Sequence, residues 1–384
     1  MAAVAWPVVF ASGGPRERGR AYGEQASGRV AATIACYDEI FRHYAGIPWR
    51  EVRSTAEAFV GDIERHDAEV LPELEGIAEG AGVDAEDVLA INLRTEIMFG
   101  LDAGPGHAAL KECTALCVTS EASPSASPLV AQNWDWKPAA RDTCVVLTSA
   151  PHRGPGFVTL VEAGLLAKCG MNEAGIAVAT NALTSSRDRG RPGVPYHVIL
   201  RGLLRASGLD EAIDLVRRGP RASSANYLLA ERSGRAVDIE VTPGGPGEAR
   251  VTEGRRLVHA NHFLWPTPRP FRDVGRVDGD DSLRRQERGE RAIAEGPVGV
   301  QAVMEALRDH EGRPSSVCAH DDPTLAPVED YVTVASMVAD PRAGVLWISH
   351  GNPCERAHEP IDVAEMIERA RAGAWSSAPA SGTS

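Results

Sequence analysis

Apolar and polar positions change their period once along this chain. Up to about residue 110 the spacing is helical. The stretches "PRERGRAYGEQASGRVAATIACYDEIFRHY" and "AEAFVGDIERHDAEVLPELEGIAEGAG" place apolar residues at intervals of three and four with charges between them. After that the runs are short and rich in β-branched residues: "CTALCVTS", "PLVAQNWDW", "TCVVLTSA" and "GFVTLVEA" predict strands, with "SEASPSASP" as a hairpin loop. "GMNEAGIAVATNAL" continues the strand signal, and "PYHVILRGLLRASGLDEAIDLVRRG" returns to helix. "SSANYLLAERSGRAVDIEVTP" reads as a hairpin turning at Ser-Gly, and "RRLVHANHFLW" as a strand. "DDSLRRQERGERAIAEG" and "VGVQAVMEALRDHEG" predict helices, and "YVTVASMVADPRAGVLWISHG" a last hairpin. There is no internal repeat and no obvious linker. Blocks of helices and blocks of strands predict a layered α+β fold rather than alternating βαβ units.

Composition narrows the function. The 384 residues are 43% hydrophobic, enough for a sizeable core, and carry a formal net charge of −13. That balance excludes a protein that holds nucleic acid through its phosphates, which needs a basic surface. No apolar run approaches the roughly 20 residues of a membrane span. The apolar start "MAAVAWPVVF" lacks a leading Lys or Arg, so a cytoplasmic location is expected. The seven cysteines (36, 113, 117, 144, 169, 318 and 354) are odd in number and scattered, which suits free thiols. The small polar tail 371–384 is expected to be disordered.

The candidate chemistry centres on "ECTALC". Cys113 is either a small buried side chain or a nucleophile at a strand start. A cysteine nucleophile needs a base, and none of the eleven histidines stands in a recognisable partner motif. A cut immediately before Cys113 would supply one, because the new α-amine has a pKa of about 7.7–8.0 and sits on the same residue as the thiol. The thiol can make that cut itself by attacking the carbonyl of Glu112. Cys113, Cys117 and His107 form no convincing zinc pattern without a second paired cluster. His259 and His262 are spaced for neither one strand face nor a helical pair. No metal or organic cofactor is implied.

"ECTALC" followed by "QNWDW" resembles the autoproteolytic cysteine acyltransferases and amidases related to acyl-coenzyme A:6-aminopenicillanic acid acyltransferase. These are N-terminal-nucleophile (Ntn) hydrolases and distant relatives of choloylglycine hydrolases. "GGPRERGRAYGEQ", "GMNEAGIAVATNAL", "SSANYLLAERSGRAVDIE", "HANHF" and "ISHGNPCE" extend the resemblance over most of the chain in the expected order. The resemblance implies a four-layer αββα sandwich in one structural domain. It would comprise a helical segment 1–112, released by self-cleavage at Glu112–Cys113, and a core 113–370, the two fragments staying associated.

Carried over residue by residue, Cys113 is the nucleophile and Asp135 orients its amine and thiol. Asn261 helps bind the oxyanion, and Asn181 lines the same site. Arg285, or else Arg284, lies close to the nucleophile. Glu112 stands where the family pattern has Gly, and Gln132 replaces the arginine of choloylglycine hydrolases, which argues against bile-salt amides. The implied reaction is hydrolysis of a small N-acyl amide through an acyl-thioester. Acyl-coenzyme A-dependent N-acyl transfer is the alternative, with an acyl thioester as substrate. From another class, an uncleaved protein that binds an acyl compound or a partner would also fit the residues.

Overall fold

The β-branched runs pair into two sheets that face each other. The computed structural model describes residues 6–100, 113–274 and 280–373. The chain enters through β1 (Val8–Gly13) and a helical block: α1 (Pro15–Ala45), α2 (Trp49–Glu57), α3 (Val60–His66), α4 (Val70–Ala81), α5 (Ala85–Asn92) and α6 (Arg94–Gly100). Then follow β2 (Thr114–Val118), β3 (Leu129–Trp136), α7 (Ala140–Thr143), β4 (Cys144–Pro151), β5 (Phe157–Glu162), β6 (Cys169–Asn172) and β7 (Ile176–Ala182). Helices α8 (Tyr196–Leu204) and α9 (Leu209–Arg218) precede β8 (Ala225–Glu231), β9 (Ala236–Val241), β10 (Ala249–Glu253) and β11 (Arg256–His259). The last elements are α10 (Asp280–Ala292), α11 (Val300–Leu307), β12 (Val332–Asp340), β13 (Val345–His350), β14 (Glu359–Asp362) and α12 (Val363–Arg371).

One sheet has the order β1-β4-β5-β6-β7-β8-β9-β10 and the other β11-β2-β3-β12-β13-β14. Strands β2 and β3 pack on β7 and β8, and β12 on β6, so the sheets stack face to face. Helices α1, α8, α9 and α12 pack on the first sheet, and α10 and α11 on the second. The result is the αββα sandwich that the resemblance implies. Both sheets being covered, β3, β4 and β12 are buried at every position, so their sequences do not alternate between apolar and exposed polar residues.

The helical block is held by an unusually close approach. A Cβ on Gly19 or Gly23 of α1 would lie 2.1 Å from a backbone oxygen of α4, and one on Gly76 or Gly80 of α4 would meet α1 at 2.2 or 2.1 Å. Beside this seam the Glu73 carboxylate accepts from the buried guanidinium groups of Arg18 (2.7 Å) and Arg201 (2.8 Å).

The structure corrects the sequence reading in two places. Residues 8–13 are not part of the helical segment; they form β1, paired parallel with β4. A parallel partner can be supplied only by a distant part of the chain, so local pattern does not reveal it. The strand read through "HANHFLW" stops at His259, because side chains take the following N–H groups: Ser282 Oγ accepts from Asn261, Asp273 Oδ2 from Phe263 and Glu240 from Leu264. At the C-terminus, α12 reaches Arg371, and 374–384 lies outside the described residues, as do Glu112, Lys111 and His107. No helix among the described residues is long and apolar enough to cross a membrane.

Candidate active site

Cys113 immediately precedes β2, is 2% exposed, and has a φ of 63°. For a residue with a Cβ this left-handed conformation costs about 1–2 kcal/mol, and it persists only where the surroundings impose it. Here they do. The Cys113 N–H donates to the Asp135 carboxylate. Its carbonyl accepts from Asn181 Nδ2 at 2.9 Å and from Arg285 Nη1 at 2.8 Å.

Each of these side chains comes from a different element. Asp135 stands near the end of β3, which pairs with β2 in the same sheet. Asn181 is on β7 of the opposing sheet, where β2 and β3 face it. Arg285 is in α10, which packs on β2 and β11. Its Nη1 also reaches Thr114 Oγ1 at 3.0 Å, while Nη2 donates to Asn261 Oδ1 at 2.9 Å. Asn261 lies in the loop after β11 and donates Nδ2 to the Ala182 carbonyl at 3.0 Å. Thus all five residues expected from the sequence meet, and Arg285 is the arginine beside Cys113. Arg284 is exposed on the same helix.

Burial pushes the Asp135 carboxyl up from 3.8 to about 6. Arg285, the Thr333 hydroxyl and the Cys113 N–H act in the opposite sense, and Asp281 adds to the rise. Thr333 donates to Asp135 Oδ1 at 2.6 Å and was not anticipated from sequence. It stands opposite Asp135 in the β12–β3 register, so only strand pairing identifies it. His259 was passed over as well. Burial opposes its charge, but Asp238 and Glu240 outweigh that and raise its pKa from 6.5 to about 9. Its carbonyl accepts from Asn181 Nδ2 at 3.1 Å, so this buried ion cluster braces the asparagine that holds Cys113.

Three nearby residues are structural. Gln132 exchanges hydrogen bonds with both the carbonyl and the N–H of Thr180, tying β3 to β7. Cys117, four residues past Cys113, is a core side chain whose thiol burial pushes well above its usual range. Lys137 is buried, with Nζ 2.8 Å from the Tyr44 hydroxyl and over the Tyr331 ring.

A family model described as acyl-coenzyme A:6-aminopenicillanic acid acyl-transferase matches residues 122–355, more than half of the chain. The protein belongs to this acyl-transferase family. The matched span carries Asp135, Asn181, Asn261 and Arg285 and begins after Cys113. A member from Emericella nidulans, the 40 kDa form of acyl-coenzyme A:6-aminopenicillanic-acid-acyltransferase, is 27% identical over 316 residues, which is 81% of this chain and 84% of that one. Among solved structures, penicillin V acylase from Agrobacterium tumefaciens aligns with a TM-score of 0.40 at 18% identity, over 62% of this chain and 83% of its own. Conjugated bile acid hydrolase from Clostridium perfringens aligns with a TM-score of 0.40 at 13% identity, over 66% and 94%. Membership of this acyl-transferase family makes the protein an enzyme.

Proposed function

We propose that the protein is an N-terminal-cysteine amidase that cuts itself between Glu112 and Cys113 and then hydrolyses a small N-acyl amide through a thioester on Cys113. The observation that carries this reading is the grip on the Cys113 backbone. Its N–H and its carbonyl are both taken by buried side chains, with φ at 63°. A cysteine that only fills space needs none of this. Cys117, within the adjoining strand β2, has its thiol 3.9 Å from the carbonyl of its own neighbour Val118.

In maturation, Cys113 Sγ attacks the carbonyl carbon of residue 112. The C–S bond forms, the C–N bond breaks, and the nitrogen takes a proton. Water then opens the thioester, leaving a carboxylate on residue 112 and a free thiol and amine on Cys113. The cut removes the carbonyl carbon that defines φ at Cys113, so the conformational strain is released with it. The new ammonium is formed beside Asp135, which favours the charged carboxylate there. Because β1 lies in the same sheet as β4, the fragment 1–112 stays bound through shared core and strand pairing.

In turnover, the α-amine takes the thiol proton as sulfur attacks the substrate carbonyl and passes it to the leaving amine. Arg285 and Asn181 hold the Cys113 carbonyl and thereby fix the amine and thiol against each other. Asn261, oriented by its bond to Arg285, is assigned to the oxyanion, where one donor is worth roughly 10²–10³ in rate. Water then releases the acid.

A second reading, N-acyl transfer from acyl-coenzyme A, is favoured by the Emericella relative. It also draws on a cleft of about 480 Å³ where Arg189 and Arg191 could meet phosphates, beside Arg187 paired with Glu248.

The test has two stages. Intact mass of the purified protein should show fragments 1–112 and 113–384 for the wild type and one chain for Cys113→Ala. The cleaved enzyme is then given N-acyl amides with and without a competing amine, and separately acyl-coenzyme A. Free acid should dominate. An uncut chain with full amidase activity would remove the α-amine as base, and rapid amine acylation with little free acid would transfer the assignment to the second reading.

A further inference from the structure

We propose that Cys318, His320, Cys354 and His310 form a binding site for one Zn(II) ion. Three segments meet there: the turn after α11, which carries His310; the stretch leading into β12, with Cys318 and His320; and the loop after β13, with Cys354. Cys318 Sγ lies 3.6 Å from Cys354 Sγ and 3.7 Å from His320 Nε2, and Cys354 Sγ lies 3.3 Å from His320 Nε2. Zn–S bonds of about 2.3 Å and Zn–N bonds of about 2.0–2.1 Å at tetrahedral angles place sulfurs about 3.8 Å apart and sulfur about 3.6 Å from nitrogen. The three observed distances are therefore close to the edges of one face of a zinc tetrahedron. His310 supplies the fourth corner. One ligand atom each from His310, His320 and Cys354 lie within 4.8 Å of one another, and the two imidazoles meet edge-on at 5.9 Å. His310 is exposed on its turn and closes on the other three ligands to complete the set.

The surroundings fit a metal rather than a disulfide. Asn352 Nδ2 donates to Cys318 Sγ at 3.3 Å, the kind of bond that steadies a ligating thiolate. His320 directs Nε2 at the sulfurs, and the Glu355 carboxylate stands 3.7 Å from Nδ1, on the side where a carboxylate orients zinc-bound histidines once it closes to hydrogen-bond distance. A disulfide between Cys318 and Cys354 would leave both imidazoles converging on nothing. Two thiolates and two imidazoles are a zinc donor set, and four protein ligands make a structural site with no open position. Binding balances as one Zn(II) taken up and two thiol protons released to solvent.

The site bears on the catalytic centre through the backbone. Between the two ligands on this stretch, Ala319 donates its N–H to Thr333 Oγ1 at 2.8 Å and accepts from the Thr333 N–H at 3.0 Å. Thr333 in turn donates to Asp135. A metal at Cys318 and His320 thus holds the segment that orients the Thr333 hydroxyl.

The experiment uses the full-length protein purified from zinc-containing medium. Elemental analysis should find about one zinc per chain. Replacement by Co(II) should give thiolate-to-cobalt charge-transfer absorption in the near ultraviolet and the intense visible bands of a tetrahedral ion. Cys354→Ser should lose roughly half of the charge-transfer intensity, one of two thiolates being gone. His310→Ala should keep that intensity but alter the visible bands, whereas Cys36→Ser should change neither. After chelation, Zn(II) but not Mg(II) should raise the melting temperature. Absence of bound zinc and of any cobalt spectrum in the wild type would overturn the proposal, even if a variant fails to fold. So would a cobalt spectrum unchanged in Cys354→Ser, or a native chain whose peptide map shows Cys318 disulfide-bonded to Cys354.

Discussion

Asp135→Asn, made in a Cys113→Ala background so that the chain stays uncut, should change stability with opposite signs at high and low pH. Burial raises the Asp135 carboxyl from 3.8 to about 6, a shift of about 2 units, which at 1.36 kcal/mol per unit is about 3 kcal/mol. The folded pKa is raised, so the favourable contribution of the protonated form is fully present below 3.8 and is lost as pH rises through about 6. At about pH 7.5 the uncut protein therefore carries about 3 kcal/mol of cost for burying this charge. Asparagine keeps the shape and cannot ionise. It gives up one acceptor, leaving either the Thr333 hydroxyl or the residue-113 N–H poorly matched, which costs about 1–2 kcal/mol. The net expectation is a variant about 1–2 kcal/mol more stable at about pH 7.5 and about 1–2 kcal/mol less stable below about pH 4. Urea titrations across this range measure the difference directly, provided the slope stays constant. In the chain that retains Cys113, the same substitution should slow self-cleavage, because a neutral amide cannot stabilise the emerging ammonium. A difference that is flat with pH, with the variant less stable throughout, would refute the reasoning and show that Arg285 fully compensates the Asp135 charge.

Four further substitutions, one of them a control, probe the rest of the arrangement. Arg285→Met removes the donor shared by Cys113, Thr114 and Asn261 and should cost about 3–5 kcal/mol in urea unfolding and slow cleavage; exposed Arg284→Met should stay within about 0.5 kcal/mol of wild type. Asn261→Ala should lower kcat by roughly 10²–10³ with little change in KM, measured on whichever amide the screen selects. Glu73→Gln leaves Arg18 and Arg201 without their shared carboxylate and should destabilise by about 3–5 kcal/mol at neutral pH. Despite burial, Arg201 and Arg18 lower the Glu73 carboxyl from 4.5 to about 2. Its contribution is thus present above 4.5 and is lost as pH falls through about 2, so urea midpoints of wild type and variant should converge in acid.

The sequence alone determined what depends on local period and on residue chemistry. Helical spacing marked α1 and α4, and β-branched runs marked β2 to β5, because each pattern reports which side of a single element is buried. Nucleophile chemistry marked Cys113 of "ECTALC" as a candidate, and the ordered resemblance added Asp135 of "QNWDW", Asn181, Asn261 and Arg285. The tertiary structure decided whatever depends on which distant segments meet. It placed β1 beside β4, and it set Thr333 of "YVTVASM" opposite Asp135. It chose Arg285 over Arg284, since the turn of α10 points one guanidinium at the Cys113 carbonyl and leaves the other outside. It also gathered Cys318, His320, Cys354 and His310, which share no short motif because their ligand atoms converge from three loops. Periodicity along a chain encodes the face an element buries. The partner on that face is fixed only when chain segments far apart in sequence give up conformational entropy together and pack.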